Sequence, residues 1–194
     1  MAYTSGVAHT KTLLVVGLLA GLGFTFLATR SQAQGLKTGA SAPAFSGVAS
    51  NGKTISLASV TKSGKPTVLY FIGHTCPVNA QAVKFYQRLE ESTRGKVNFV
   101  GVIDTDEAGY KTWQAKNKAT YPVIFDPNHK IIKAYKAQAS PWTVILDAKG
   151  NVADEFPGYS EYDLKAHSTL LAKLAKTTFA PLDTTGAPKD SRYG

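Results

Sequence analysis

Cysteine is almost absent from this chain, because Cys76 is the only one among its 194 residues. A single cysteine cannot form a disulfide within the chain, which excludes a small fold held together by internal disulfides. Cys76 is therefore either a free thiol or the partner of a thiol on another molecule.

Clusters of basic residues are also absent, although the formal net charge is +9. The lysines are scattered, with no run of four or more basic residues. Nucleic-acid-binding proteins concentrate positive charge on one face, so this pattern favours an ordinary solvated basic surface, and we predict no nucleic-acid partner. The charge remains compatible with acidic partners or an anionic membrane surface.

A third absence is an apolar run that crosses a membrane comfortably, which takes about 20 residues. The uncharged apolar stretch from Leu13 to Ala28 falls short of this length and follows Lys11. Ser31-Gln32-Ala33 then supplies small residues where a signal peptidase cleaves. We expect residues 1–34 to be a cleaved signal peptide, with a retained membrane anchor as the alternative. In both cases the rest of the chain is expected to be extracytoplasmic, either periplasmic or secreted.

The rest of the chain alternates strand-like and helix-like segments. Thr67 to Ile72 is a continuous apolar run, typical of a central strand that is covered on both faces. Apolar residues then recur at helical spacing from Val78 to Leu89, behind Pro77, which suits the first turn of a helix. Further strands are predicted at 53–57, 97–103, 121–125, 142–146 and 152–156, and further helices at 107–117, at 159–175 and, briefly, toward Tyr135.

This order of elements predicts a three-layer α/β domain over residues 35–176, followed by a mobile tail at 177–194. The strands at 67–72 and 97–103 are expected to be parallel neighbours joined by a right-handed crossover. In sheets of this kind the reactive crevice lies at the carboxyl ends of the strands, and Cys76 is placed there.

The position of Cys76 favours a reactive thiol. The N–H groups at a helix N-terminus stabilise a thiolate and lower the pKa of reactive cysteines from about 8.5 to between about 3.5 and 7.5. Cys76 directly precedes Pro77, so its sulfur is expected to accept hydrogen bonds from those N–H groups. The alternative is a small buried core residue, which is the commonest role of a free cysteine.

Three polar neighbours of Cys76 are candidate catalytic residues. His74 either stabilises the thiolate as an imidazolium, shuttles a proton, or is only a loop histidine. Thr75 either hydrogen-bonds the sulfur or caps the helix. Asn79 lies one helical turn beyond Cys76, where its amide either donates to a thiolate or is a polar first-turn residue. A soft metal on His74 and Cys76 is a further alternative, but no cysteine or methionine nearby completes such a site, and no cofactor is predicted.

Three segments together carry a family resemblance: Gly64 to Phe71, Cys76-Pro77, and Ser140-Pro141 with the strand and turn that follow from Trp142 to Val152. They resemble the redoxin branch of the thioredoxin superfamily, which includes peroxiredoxin-like (AhpC/TSA-like) proteins and the thiol–disulfide oxidoreductases of bacterial envelopes. The resemblance covers roughly residues 40–175 and implies a thioredoxin-like fold with a central mixed sheet.

The resemblance also implies roles for individual residues. Cys76 matches the family's nucleophile, and Pro141 matches its cis-proline, which lies against the nucleophile and receives extended thiol substrates. We accordingly expect Pro77, Ser140 and Pro141 to contribute to substrate binding.

The chain departs from two of the sub-families at the positions that matter for their chemistry. Thiol–disulfide exchangers of this type carry Cys-x-x-Cys after a tryptophan, but Thr75 and Asn79 stand at the tryptophan and second-cysteine positions. An exchanger without the second thiol cannot release its own mixed disulfide. A copper-carrying relative needs a second cysteine where Ala80 stands.

It departs from the peroxiredoxins as well. Their Pro-x-x-x-Thr-x-x-Cys motif is missing, because Leu69 and Gly73 replace the proline and the threonine. The arginine that polarises the peroxide is missing too, since none occurs between Arg94 and Arg192.

We therefore expect an extracytoplasmic redoxin enzyme that uses Cys76 as a single reactive thiolate. It would attack a peroxide, giving a sulfenic acid, or a disulfide. An external thiol reductant or a partner protein would then restore Cys76, and the membrane is involved only if the leader is retained. A non-catalytic thioredoxin-fold binding protein is the alternative, and a copper carrier ranks last.

Overall fold

The computed structural model describes residues 35–194, so the predicted leader lies outside the described residues. No helix between residues 35 and 194 is both long and apolar enough to span a lipid bilayer. The described part of the chain contains seven strands and five helices, which are β1 (Ser46–Val48), β2 (Thr54–Ser56), α1 (Leu57–Lys62), β3 (Thr67–Ile72), α2 (Pro77–Thr93), β4 (Asn98–Ile103), α3 (Glu107–Asn117), β5 (Val123–Phe125), α4 (Lys130–Ala134), β6 (Trp142–Leu146), β7 (Val152–Pro157) and α5 (Glu161–Ala175).

Five of these strands form a central mixed sheet in the order β5-β4-β3-β6-β7. β3 lies in the middle, where it pairs in parallel with β4 and antiparallel with β6. β5 continues the parallel half, β7 continues the antiparallel half, and β1 and β2 form a separate antiparallel ribbon. The predicted α/β fold with a mixed central sheet is therefore confirmed, as is the parallel pairing of the strands at 67–72 and 97–103.

The sheet separates two apolar cores, because successive side chains of β3 point to opposite faces. On one face β3 packs with α2, α3 and α5, in a core that includes Val68, Tyr70, Ile72, Phe85, Tyr86, Leu89, Trp113, Leu164 and Leu171. On the other face it packs with α1, α4 and the segment before β1, in a core that includes Ala42, Phe45, Val60, Leu69, Phe71 and Ile131. All six residues of β3 are buried, which explains the lack of alternation in its sequence.

α2 begins directly after Cys76, which is its N-cap residue. Pro77 occupies the first helical position, where an N–H group has no carbonyl partner within the helix, so its absence does no harm. The helix ends at Thr93, and Gly95 then reverses the chain with a φ of 78° that glycine adopts without strain. The N-terminus of α2 thus meets the carboxyl end of β3, as the sequence predicts.

β1 and α1 are two short elements that the sequence pattern does not predict. α1 begins at a capping box, in which the Ser56 hydroxyl accepts from the N–H of Ser59 at 3.1 Å and the Ser59 hydroxyl accepts from the N–H of Ser56 at 2.9 Å. The usual sequence signature of this box has Glu or Gln at the second position. Because Ser59 stands at that position, the sequence does not carry the usual signature of a helix start.

Residues 177–194, the predicted tail, make contacts with the domain. Phe179 and Leu182 pack on the core that contains α2 and α5. Arg88 of α2 forms an ion pair with Asp183 at 3.1 Å. The apolar residues of the tail are few and irregularly spaced, so the sequence carries no periodic signal for these contacts.

His167 of α5 is fully buried in the same core. Neither of its ring nitrogens has a hydrogen-bond partner among the described residues. Its ring lies edge-on to Phe156, with 4.2 Å between centroids, and tilted against Tyr86 at 6.0 Å. Burial lowers the pKa of His167 to about 4, and the charge of Asp163 offsets only part of this effect. The ring is therefore neutral in the folded protein at neutral pH.

We predict that acid destabilises the domain through His167. In the unfolded chain this histidine takes up a proton near its ordinary pKa of 6.5, whereas in the folded state it resists protonation until about pH 4. Its neutral form therefore supports the fold above about pH 6.5, and stability is lost as the pH falls toward 4. The loss due to His167 should be roughly 2 kcal/mol at pH 5.

Urea unfolding at pH 7 and pH 5 measures this loss. His167→Phe keeps a ring in the core and should show a smaller fall in stability between the two pH values than the unaltered protein. His129→Asn, at an exposed position, is the matched control and should keep the original pH dependence. The same pH dependence in all three proteins would contradict the prediction.

Candidate active site around Cys76

Cys76 lies at the end of the turn that connects β3 to α2. Its backbone N–H donates to the backbone oxygen of Gly73 at 3.1 Å, which closes the turn. The side chain is half-buried, and its S–H donates to the backbone oxygen of Ser140 at 3.4 Å. The sulfur makes no capping hydrogen bond with the first-turn N–H groups of α2, contrary to our expectation. It is nevertheless held at the N-terminus of the helix.

Ser140 faces Cys76 from the loop before β6, and the bond between Ser140 and Pro141 is cis, as the family resemblance implies. The hydroxyl oxygen of Ser140 accepts two hydrogen bonds, from the backbone N–H of Gly73 at 2.7 Å and from the amide of Asn79 at 2.9 Å. The hydroxyl thus joins this loop to the turn before Cys76 and to the first turn of α2. The structure therefore brings Ser140 to the thiol, and Pro141 follows it in the chain.

Asn79 is fully buried beneath the turn, and its amide is used by the scaffold. Its Nδ2 donates to the hydroxyl of Ser140 and to the backbone oxygen of Phe71 at 3.4 Å, which accounts for both amide hydrogens. Its Oδ1 accepts from the hydroxyl of Tyr70 at 3.2 Å. Burial raises the pKa of Tyr70 well above its usual value, so this phenol remains a donor. Asn79 positions Ser140 and has no hydrogen left for the sulfur of Cys76.

His74 is exposed beside the turn and is held by Asp104, which follows the last residue of β4. One carboxylate oxygen of Asp104 accepts from the backbone N–H of His74 at 2.7 Å and lies 2.8 Å from its Nδ1. A carboxylate facing Nδ1 keeps the proton on that nitrogen and leaves Nε2 for proton exchange. The predicted role of His74 as a proton carrier is compatible with this geometry.

Two open clefts flank Cys76. The first has a volume of about 290 Å³ and lies between the turn, Asp104 and the loop that ends at Ser140, with Gly194 in its lining. The second has a volume of about 590 Å³ and lies between α2 and α3, where Trp113 forms part of its wall. Cys76 therefore contributes to the lining of both clefts.

Thr75 and Pro77 are exposed at the mouths of these clefts. Thr75 lines both of them, while Pro77 lines the one between α2 and α3. No hydrogen bond of the Thr75 hydroxyl occurs within the described chain, so neither a bond to the sulfur nor a helix cap is formed. Across residues 35–194, no three His, Cys, Asp or Glu side chains come together in a group that would hold a metal ion.

Asp104, Tyr70 and Gly194 belong to the site although the sequence does not assign them to it. The parallel pairing of β3 and β4 brings Asp104 beside the turn, and the rule that parallel strands share a functional edge is the signal that could have found it. Tyr70 and Gly194 reach the site through contacts between distant parts of the chain, for which no local pattern exists.

The mixed sheet, the helices on both faces and a cysteine against the residue that precedes a cis-proline define a thioredoxin-like fold, and solved structures agree. The chain is similar to a putative thiol:disulfide interchange protein DsbE from Chlorobium tepidum, with 21% identity over 72% of this chain and 99% of that chain and a TM-score of 0.66. It is also similar to a putative protein disulfide isomerase from Bacteroides thetaiotaomicron, with 20% identity over 73% and 91% of the two chains and a TM-score of 0.66. At these identities the similarity shows a shared fold.

A third similar structure is that of a secreted disulfide oxidoreductase from Mycobacterium tuberculosis, with 21% identity over 67% of this chain and 96% of that chain and a TM-score of 0.57. A comparison with curated proteins finds no match. Residues 38–155 match the AhpC/TSA family. Because this match spans more than half of the sequence, the chain belongs to that family, and the predicted redoxin resemblance is confirmed.

We predict that Asn79→Ala destabilises the domain by about 1–3 kcal/mol, because it leaves the buried hydroxyl of Tyr70 without its acceptor and removes one of the two donors to Ser140. Urea unfolding at pH 7 measures the change. Asn128→Ala removes an exposed asparagine side chain and should change the stability by less than about 0.5 kcal/mol. Equal unfolding midpoints for the two variants would show that the Asn79 network contributes nothing.

Proposed function

We propose that this protein is a thioredoxin-fold oxidoreductase that exchanges thiols and disulfides through the single thiol of Cys76. The observation that carries the proposal is the position of the half-buried sulfur, at the N-terminus of α2 and 3.4 Å from the backbone oxygen of Ser140. A helix N-terminus favours the thiolate, which is the nucleophilic form. Membership of the AhpC/TSA family supports a redox role for this cysteine.

The first step is attack by the thiolate of Cys76 on one sulfur of a substrate disulfide. A new S–S bond forms to Cys76, the substrate's S–S bond breaks, and the other substrate sulfur leaves as a thiolate that takes up a proton. Asn79 stands where a second cysteine would resolve this intermediate within the chain. An external thiol, on a small molecule or a partner protein, therefore attacks the mixed disulfide and releases Cys76.

We propose an extended polypeptide as the carrier of the substrate disulfide. Both backbone polar groups of Ser140 form hydrogen bonds with the backbone of Gly194. The N–H of Ser140 donates to the oxygen of Gly194 at 3.0 Å, and the oxygen of Ser140 accepts from the N–H of Gly194 at 2.8 Å. Main-chain pairing at an available edge is a general way to bind an extended peptide. Pairing at Ser140 would place the peptide beside the sulfur of Cys76, because the backbone oxygen that would pair with the peptide also contacts the sulfur.

Peroxide reduction is the second candidate function, and membership of the AhpC/TSA family favours it. The thiolate of Cys76 would attack the O–O bond, giving a sulfenic acid and, after protonation, water or an alcohol; two external thiols would then restore the cysteine. No arginine lines either of the clefts described beside Cys76, and Gly73 offers no hydroxyl to the peroxide. We therefore rank disulfide exchange first.

We further propose that the protein acts outside the cytoplasm, with residues 1–34 as its leader. The apolar stretch in that segment supports this location, as does the similarity to a secreted oxidoreductase of Mycobacterium tuberculosis. Its partners are then the thiols and disulfides of that compartment. A binding protein that presents the same edge without turnover is the alternative.

We predict that the protein accelerates the reduction of a disulfide-linked unfolded polypeptide by glutathione, and that Cys76→Ser abolishes the acceleration. Acid quenching followed by mass spectrometry should find one substrate chain attached to the Cys76 peptide, because the intermediate cannot resolve itself. A parallel incubation with hydrogen peroxide and a sulfenic-acid reagent tests the second candidate. If Cys76→Ser still binds the polypeptide and the unaltered protein shows no turnover, the binding-protein alternative is correct. If neither adduct forms at Cys76, the redox proposal is wrong.

We predict that Asp104→Asn slows the alkylation of Cys76 by iodoacetamide at pH 7 about two- to five-fold, because Asp104 no longer fixes the His74 ring, which lines the same cleft as Cys76, and exposed polar pairs of this kind contribute up to about 1 kcal/mol. His74→Gln should slow it to a similar extent, and combining the two changes should add little more. Asp106→Asn removes a nearby carboxylate that instead caps α3, and it should leave the rate unchanged. The pH–rate profile of each variant checks this, and identical profiles for all of them would exclude an electrostatic role for the pair.

A further inference from the structure

The tail pairs with the domain through backbone hydrogen bonds beside the site. The backbone N–H of Arg192 donates to the oxygen of Tyr159 at 2.9 Å, and the oxygen of Arg192 accepts from the N–H of Tyr159 at 3.0 Å. Two residues further on, the N–H of Gly194 donates to the oxygen of Ser140 at 2.8 Å, and the N–H of Ser140 donates back at 3.0 Å. Residues 192–194 thus occupy the edge at Ser140 through main-chain hydrogen bonds alone, as an extended peptide does.

Gly194 lies directly over the thiol. A Cβ atom at this position would stand 3.1 Å from the sulfur of Cys76 and 3.5 Å from Cγ2 of Val78. The first distance is too short for a side chain that is not bonded to the sulfur. It is, however, close to the separation of about 3 Å between a sulfur and the β-carbon on the far side of a disulfide. The backbone of Gly194 therefore lies where the backbone of a cysteine disulfide-bonded to Cys76 would lie, but glycine has no side chain that could react.

The contacts that hold this part of the tail are exposed. Residues 190–194 are all exposed to solvent. The ion pairs further back, Arg88 with Asp183 and Lys189 with Glu161, also lie at the surface, where such pairs contribute little to stability. Residues 192–194 can therefore leave Ser140 without disrupting either apolar core.

We propose that residues 191–194 are a tethered pseudo-substrate, which must leave the edge at Ser140 before an extended polypeptide disulfide reaches Cys76. The proposal rests on the proposed function, since it takes this edge as the docking site of the substrate. The tail and the polypeptide compete for the same two backbone hydrogen bonds of Ser140. The polypeptide that replaces the tail carries its reacting cysteine at the place of Gly194.

The first test compares the full chain with a chain that ends at Asp190. Removing residues 191–194 should raise the rate at which Cys76 reacts with a disulfide-bearing peptide about ten-fold, because two backbone hydrogen bonds no longer have to be broken first. A bulky maleimide should show the same increase. Tyr193→Ala keeps both pairs of backbone bonds and should react like the full chain. Unchanged rates in the shortened chain would overturn the proposal.

The maleimide separates this proposal from the proposed function, because it reports access to the thiol and needs no redox activity. A faster maleimide reaction without any peptide adduct supports the covering tail and refutes disulfide exchange. A peptide adduct that forms at equal rates in both chains supports disulfide exchange and refutes the covering tail.

The second test does not require a shortened chain to fold. Gly194→Cys should form a disulfide with Cys76 under mild oxidation, because its β-carbon stands at the required distance from the sulfur. Tyr193→Cys is the matched control, since the side chain at this position is 62% exposed, and its Cys76 should remain largely free. Mass spectrometry of unreduced digests measures the linked peptide. Equal cross-linking of the two variants would place Gly194 away from the thiol and overturn the proposal.

Discussion

Ser140 connects the parts of this protein that meet around Cys76. Its hydroxyl accepts from the turn before the cysteine and from the amide of Asn79, which lie 67 and 61 residues away in the sequence. Its backbone oxygen lies against the sulfur and also accepts from Gly194. Because the side chain anchors the loop, the backbone stays available for pairing. The distance between the thiol and the proposed docking edge depends on this one residue.

Buried elements of the fold form the base of the network around Ser140. β3 is buried along its whole length between two apolar cores, and α2 buries one face from Asn79 onward. Tyr70 extends this base with its hydroxyl, which reaches Asn79 from the sheet. By contrast, His74, Thr75 and Pro77 are exposed. The protein therefore combines a fixed sulfur position with exposed side chains around it.

The sequence predicts much of this fold because hydrophobic periodicity is strong in its long elements. β3, α3 and β6 have the predicted bounds, since each combines a clear apolar pattern with a turn or cap residue at its start. The placement of Cys76 before a helix that opens with Pro77 is likewise a local property. These elements and the cis-proline resemblance are enough to locate the site.

The remaining features of the site depend on contacts that leave no local pattern. Asn79 looks like a polar residue in a first helical turn, and only the folded chain shows that its amide is used by Ser140 and Phe71. Asp104 resembles a simple helix cap until the pairing of β3 with β4 brings it to His74. The tail binds mainly through its backbone near the site, and backbone hydrogen bonds impose almost no sequence pattern.

The attachment of the tail to the same chain has a consequence for selectivity. A tethered segment acts at an effective concentration in the millimolar range, however dilute the protein is. A polypeptide must displace the tail from Ser140. It does so either by pairing more strongly with Ser140 or by being delivered at high local concentration by a docked partner. Small oxidants that need no backbone pairing are exempt from that competition. The tail over Cys76 thus selects against polypeptides that pair weakly with Ser140, and it does so before any chemistry takes place.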